Sequence, residues 1–107
     1  MATIQAGAFH RRNKVSRAFE QVAVGTTPTG FNPAIYSTFR YAEITVEGAN
    51  VRFTCDGTPP SATVGHLVNI VDIIRLDSNE DIQNFRAVSL GAGSVVIATY
   101  QEMKLTA

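Results

Sequence analysis

The sequence predicts an all-β fold: a small antiparallel β-sandwich or barrel of about seven strands with one short helix near residues 79–85. Three observations predict it. Apolar and polar residues alternate with period two, most clearly where Ala42, Ile44 and Val46 oppose Tyr41, Glu43 and Thr45. Turn-forming clusters of Gly, Pro, Asp and Asn interrupt the apolar runs about every eight to twelve residues. No stretch is long enough for the helical crossovers a parallel sheet requires.

Each element follows in chain order. Ala18 to Val24 reads as a strand, ended by Gly25-Thr26-Thr27-Pro28-Thr29-Gly30. An extended segment over 34–47 follows, carrying Ile35, Tyr36, Phe39, Tyr41, Ile44 and Val46. Gly48-Ala49-Asn50 is short enough for a hairpin turn into Val51–Cys55, where Val51, Phe53 and Cys55 share a face. Asp56-Gly57-Thr58-Pro59-Pro60 stops that strand, because Gly accepts positive φ and proline removes backbone donors. The apolar run His66–Leu76 is rich in β-branched residues and predicts two short strands bent near Asp72, with a helix as the alternative. Ser78 is a good N-cap, and Glu80 and Asp81 suit the positive end of a helix dipole. Ile82 and Phe85 would then face the core. Arg86–Leu90 is extended, Gly91-Ala92-Gly93-Ser94 predicts a hairpin, and Val95–Tyr100 is the last strand.

Size and composition set the function classes. The chain has 107 residues, 45% hydrophobic and 17% charged. A chain of this mass can bury about 65% of its unfolded surface, enough for one core without staples. No apolar run reaches the ~20 residues of a membrane span, and no membrane partner is expected. His10, Arg11, Arg12, Asn13 and Lys14 interrupt the apolar stretch a secretory leader needs. Cys55 is the only cysteine and cannot form an internal disulfide.

Charge is balanced overall but divided along the chain. Residues 1–19 hold Arg11, Arg12, Lys14 and Arg17 and no acid, a net +4, whereas residues 20–107 hold five basic and nine acidic residues, a net −4. Residues 1–16 therefore read as a basic N-terminal arm, extended or disordered when free, ahead of a single β domain over 17–107. The arm either docks on an acidic partner, including a neighbouring copy, or is a solvated terminus.

Catalytic patterns are sparse. One Cys and two His fall short of a zinc ligand set, and no metal or cofactor is expected. Cys55 and His66 flank one loop and could form a nucleophile–base pair, but a lone Cys beside Phe53 and Val51 reads first as a packed core residue, with His66 hydrogen bonding the loop. Asp56, Asp72, Asp77, Glu80 and Asp81 are accounted for by turns and a helix start, not by a carboxylate dyad. Gly91-Ala92-Gly93-Ser94 lacks the Lys-Ser/Thr and helix of a phosphate loop. The acidic body weighs against nucleic-acid readout, although Phe39, Arg40, Tyr41, Arg52 and Phe53 resemble a weak stacking platform.

The stretch Val51-Arg52-Phe53-Thr54-Cys55-Asp56-Gly57-Thr58-Pro59-Pro60, then Gly65-His66-Leu67, Asn84-Phe85-Arg86-Ala87 and a Val-rich strand ending in Tyr100, resembles small β-rich virion proteins of tailed bacteriophages. The resemblance covers residues 51–100 and leaves the N-terminal half unmatched. It implies a non-enzymatic structural protein of the virion, made in the host bacterial cytoplasm, at the capsid surface, neck or tail. Its implied partners are other virion proteins and further copies of itself, in a homo-oligomer. The residues expected to bind them are Arg11, Arg12, Lys14 and Arg17 in the arm and Asp56, Thr58, Pro59 and Pro60 in the loop. The alternative is a carbohydrate- or ligand-binding β-sandwich in which Tyr36 or Tyr41 stacks on sugar.

Overall fold

A computed structural model describes residues 11–106, and side chains over 13–104. The alternating segments become seven strands: β1 (Arg11–Val24), β2 (Tyr41–Glu47), β3 (Val51–Thr54), β4 (His66–Val68), β5 (Ile73–Leu76), β6 (Arg86–Ser89) and β7 (Ser94–Thr106). Two short helices join them, α1 (Pro33–Tyr36) and α2 (Asn79–Asn84). All pairings are antiparallel, in a four-stranded sheet ordered β1-β7-β2-β5 and a three-stranded sheet ordered β4-β3-β6. The all-β expectation holds, with the helix at α2.

Register explains the core. On the large sheet, Val22, Val96 and Val46 form one inward row, and Ala18, Tyr100, Ala42 and Leu76 form another. Val51, Val68, Phe85 and Ala87 come from the opposite layer and join them in one buried cluster. Rings connect the layers. Phe39 stacks on Tyr100 at 5.7 Å, Tyr100 meets Phe31 edge-on at 6.1 Å, Phe31 stacks on Phe85 at 4.9 Å, and Phe85 on Phe53 at 5.4 Å.

Two predicted hairpins are instead connections between sheets. β2 and β3 do not pair with each other, nor do β6 and β7, so Gly48-Ala49-Asn50 and Leu90–Gly93 each carry the chain from one layer to the other. These arches are bonded together: Leu90 N donates to Asn50 O at 2.9 Å, and Ser94 Oγ donates to Ala49 O at 2.7 Å. Gly48 adopts φ +90°, and a Cβ there would stand 2.8 Å from the Gly93 carbonyl oxygen. The bend near Asp72 forms as expected. Asp72 N donates to Asn69 O, Asn69 N returns a bond to Asp72 Oδ2, and β4 and β5 leave the bend in different sheets.

The segment expected to be extended from residue 34 begins as α1. Asn32 caps it by accepting from Ala34 N, and Pro33 occupies the first turn, where it lacks only a donor that would be unused. In α2 the Ser78 cap accepts from Asp81 N, and Ile82 is fully buried. Asn79 Nδ2 lies within hydrogen-bonding distance of the carbonyl oxygens of Tyr36, Ser37 and Phe39, which ties the two helices into one lid at this end.

The two sides of the sandwich differ. On the β1/β6 side, Thr29 bridges to Ala87 and Ser89 N donates to Gly25 O, so an irregular segment lines β6. On the other side, among the described residues, β4 pairs only with β3 and β5 only with β2. Beyond Gln101, β7 loses β2 as a neighbour, and Arg11–Ser16 with 101–106 continue as a two-stranded ribbon. At about 3.3 Å per residue, β1 alone spans close to the 47 Å long dimension of the chain.

Candidate functional site

The loop after β3 builds one side of a depression of about 420 Å³, lined by Thr54, Cys55, Asp56, Thr58, Gly65, His66 and Asp81. Its shape is locally determined. Asp56 Oδ1 accepts from Thr58 N at 3.0 Å, Gly57 takes φ +91°, and the Thr54 hydroxyl donates to Thr58 O. Further along, Ser61 Oγ accepts from the amides of Thr63 and Val64. Arg52 fastens the far arm, with Nε donating to Ala62 O at 3.0 Å and Nη1 to Gly65 O at 2.9 Å. Pro60 is buried under the loop and Pro59 is exposed. Gly65 is at φ +120°, and a Cβ there would come within 3.0 Å of Phe53 O, so the chain passes β3 as closely as a bare backbone allows.

Cys55 and His66 both line this depression, as their flanking positions predicted. Their electrostatics does not suit a nucleophile. Burial pushes the Cys55 thiol up from 9.0 to about 11, helped by the charges of Asp81 and Asp56. Such a thiol is protonated at neutral pH, whereas reactive cysteines sit beside cations or helix N-termini that lower the pKa. Asp56 is held below the usual carboxylate range, first by the Thr58 amide and, least, by the nearby His66. What His66 contributes is a ring contact: it faces Phe53 across β3–β4 with centroids 5.3 Å apart, so it extends the aromatic stack to the surface in place of the expected loop hydrogen bond.

The expected partner-binding residues divide between two places. Asp56, Thr58, Pro59 and Pro60 belong to the braced loop of the small sheet. Arg11, Arg12, Lys14 and Arg17 lie in β1, at the edge of the large sheet, with the side chains of the first two outside the described residues. Lys14 Nζ is 3.4 Å from Asp77 and 4.6 Å from the Tyr41 ring centroid. Arg17 pairs with Glu102 at 2.8 Å. Residues 1–10 of the arm lie outside the described residues. Of the tyrosines proposed to stack on sugar, Tyr36 is buried, while Tyr41 is half-buried, lines a surface depression with Thr38, Glu102 and Met103, and has Lys14 and Arg40 near its ring.

One surface escaped the sequence argument. Val64, Leu67, Ile70, Val71 and Ile73 are 43–84% exposed along the β4–β5 side. The signal was present in His66–Leu76, where apolar residues fall on both alternating positions: Val68, Ile74 and Leu76 are buried, while Leu67 and Ile73 are not. A two-layer fold can cover only one face of each strand. Compared with models of protein families, with curated proteins and with solved structures, the chain matches none.

Proposed function

We propose that this chain is a non-enzymatic structural protein of a bacteriophage virion that binds neighbouring capsid, neck or tail proteins through its β surfaces and N-terminal strand. The observation that carries this reading is the apolar β4–β5 side, with Val71 84% exposed and Leu67, Ile70 and Ile73 about half exposed. Several exposed apolar residues gathered on one side of a small domain suit an interaction site. They lie on and between β4 and β5, whose outer edges are unpaired among the described residues and are suited to strand addition. The resemblance over residues 51–100 supplies the setting, and the Arg52-braced loop supplies a second rigid surface that loses little entropy on docking.

The test is mass spectrometry of particles purified from a culture that produces this chain. Peptides from this chain are expected at a constant ratio to the major head and tail proteins across a density gradient. Peptides confined to the soluble lysate would overturn the reading.

A further inference from the structure

We propose that the β4–β5 side of one copy receives the β1–β7 ribbon of the next, so that this chain assembles head to tail. The inference rests on the assembly role argued above and names the partner of that surface as a second copy. Three observations carry it. First, the β4–β5 side combines strand edges unpaired among the described residues with exposed Leu67, Ile70, Val71 and Ile73. Second, the ribbon over residues 11–17 and 101–106 meets β2 only at Gln101, and beyond it is two strands wide with no third strand among the described residues. Third, the charges are complementary. The ribbon holds Arg11, Arg12, Lys14, Arg17 and Lys104 against Glu102, a net +4, with Lys14 paired to Asp77 and Arg17 to Glu102 in the same chain, while residues 18–100 taken together hold four basic and eight acidic residues, a net −4.

Complementarity between unlike parts decides the geometry. Two ribbons brought together would repel, and so would two acidic bodies, whereas ribbon on body attracts. Contact between different surfaces is heterologous: it repeats from copy to copy and closes into a ring or continues as a filament. Asp72, exposed at the bend between β4 and β5, places one acid beside these apolar residues, and Arg75 on β5 is paired with Glu43.

Sedimentation of the full chain and two double variants tests this. Leu67→Arg/Val71→Arg puts positive charge on the receiving side, and Arg12→Glu/Lys104→Glu takes the ribbon from net +4 to 0. The wild-type chain is expected to form oligomers that weaken at least tenfold as salt rises from about 0.1 to about 0.5 M, where the Debye length shrinks from about 10 Å to about 4 Å. Each variant alone is expected to be monomeric. An equimolar mixture is expected to form a heterodimer that grows no further, since each variant retains the surface the other lacks.

A monomeric wild-type chain, a variant that keeps wild-type size, or a mixture that stays monomeric would each overturn the proposal. Circular dichroism and melting check that the variants fold. The single variants Val71→Arg and Lys104→Glu carry the same mixing test if a double variant melts early. A monomeric chain found in purified particles would remove this contact and leave the virion reading standing. Oligomers that pass the mixing test in a chain absent from particles would do the reverse.

Discussion

Glu20 lies on an inward-facing position of β1, in register with Ala98, and its carboxylate is bonded at both ends of its reach. Tyr100 Oη donates to Oε1 at 2.9 Å, and the Asn32 amide donates to the same group at 3.0–3.1 Å. One acid therefore joins the edge strand, the central strand and the start of α1. Glu20→Ala should lower unfolding free energy by about 1–3 kcal/mol, the cost of leaving a buried hydroxyl and an amide without their acceptor. Glu20→Gln should recover most of it in urea melts. Full stability in the alanine variant would remove the role. Burial, followed by the bond to Glu20, also holds the Tyr100 hydroxyl well above the usual tyrosine range. A raised pKa keeps its stabilising effect below the unfolded value, about pH 10, and loses it above as the unfolded chain ionises. Cys55 obeys the same sign, its contribution present below pH 9.0 and lost toward about 11. Alkylation by iodoacetamide should accordingly be slow at pH 7 in the folded chain and rise about tenfold per pH unit to near pH 11. A plateau by pH 8 would contradict the environment described for this thiol.

At the scale of elements, short strands hold their shape through what fastens them. β3 has four residues, and its Arg52 makes the loop over 56–65 part of the small sheet by two bonds to loop carbonyls. Arg52→Ala should expose residues 58–64 to protease at least tenfold faster and reduce stability by about 1–3 kcal/mol. Arg52→Lys should fall between, since one ammonium cannot reproduce the guanidinium fork. Unchanged cleavage would mean that Pro59, Pro60 and the Ser61 turn suffice. α2 was legible because its signals are local: the Ser78 cap lies three residues before the amide it accepts, and Ile82 and Phe85 share a face. α1 was equally local in origin, an Asn cap followed by proline, but four residues carry no periodicity to reveal it.

For the whole molecule, protection should follow how many strands flank each segment. β7 residues 96–100 lie between β1 and β2, whereas among the described residues 102–106 pair with β1 alone. Two-stranded ribbons are marginal in water. Hydrogen exchange should therefore be slowest at 96–100 and at least a hundredfold faster at 102–105 in dilute monomer. Equal protection along β7 in dilute monomer would show that the ribbon is stable by itself. The candidate depression was half legible. Cys55 and His66 were expected near one loop, but Asp81 arrives from α2, and its charge changes the chemistry of the thiol.

The sequence by itself determined the short inner strands, the capped helix, the bend at Asp72 and the division of charge, because alternation, capping and turn propensity act over a few residues; it did not show that β1 starts at Arg11, within the expected arm, or that β7 runs past Tyr100 to Thr106. Only the tertiary structure decided which strands pair. Gly48-Ala49-Asn50 and Leu90–Gly93 can reverse the chain within a sheet or carry it across to another, and nothing local distinguishes the two. The choice falls to the arrangement that puts Ile44, Val51, Phe85, Val96 and Tyr100 into one core. That choice also leaves Leu67, Val71 and Ile73 uncovered, since two layers have one interior and the remaining apolar residues must face outward.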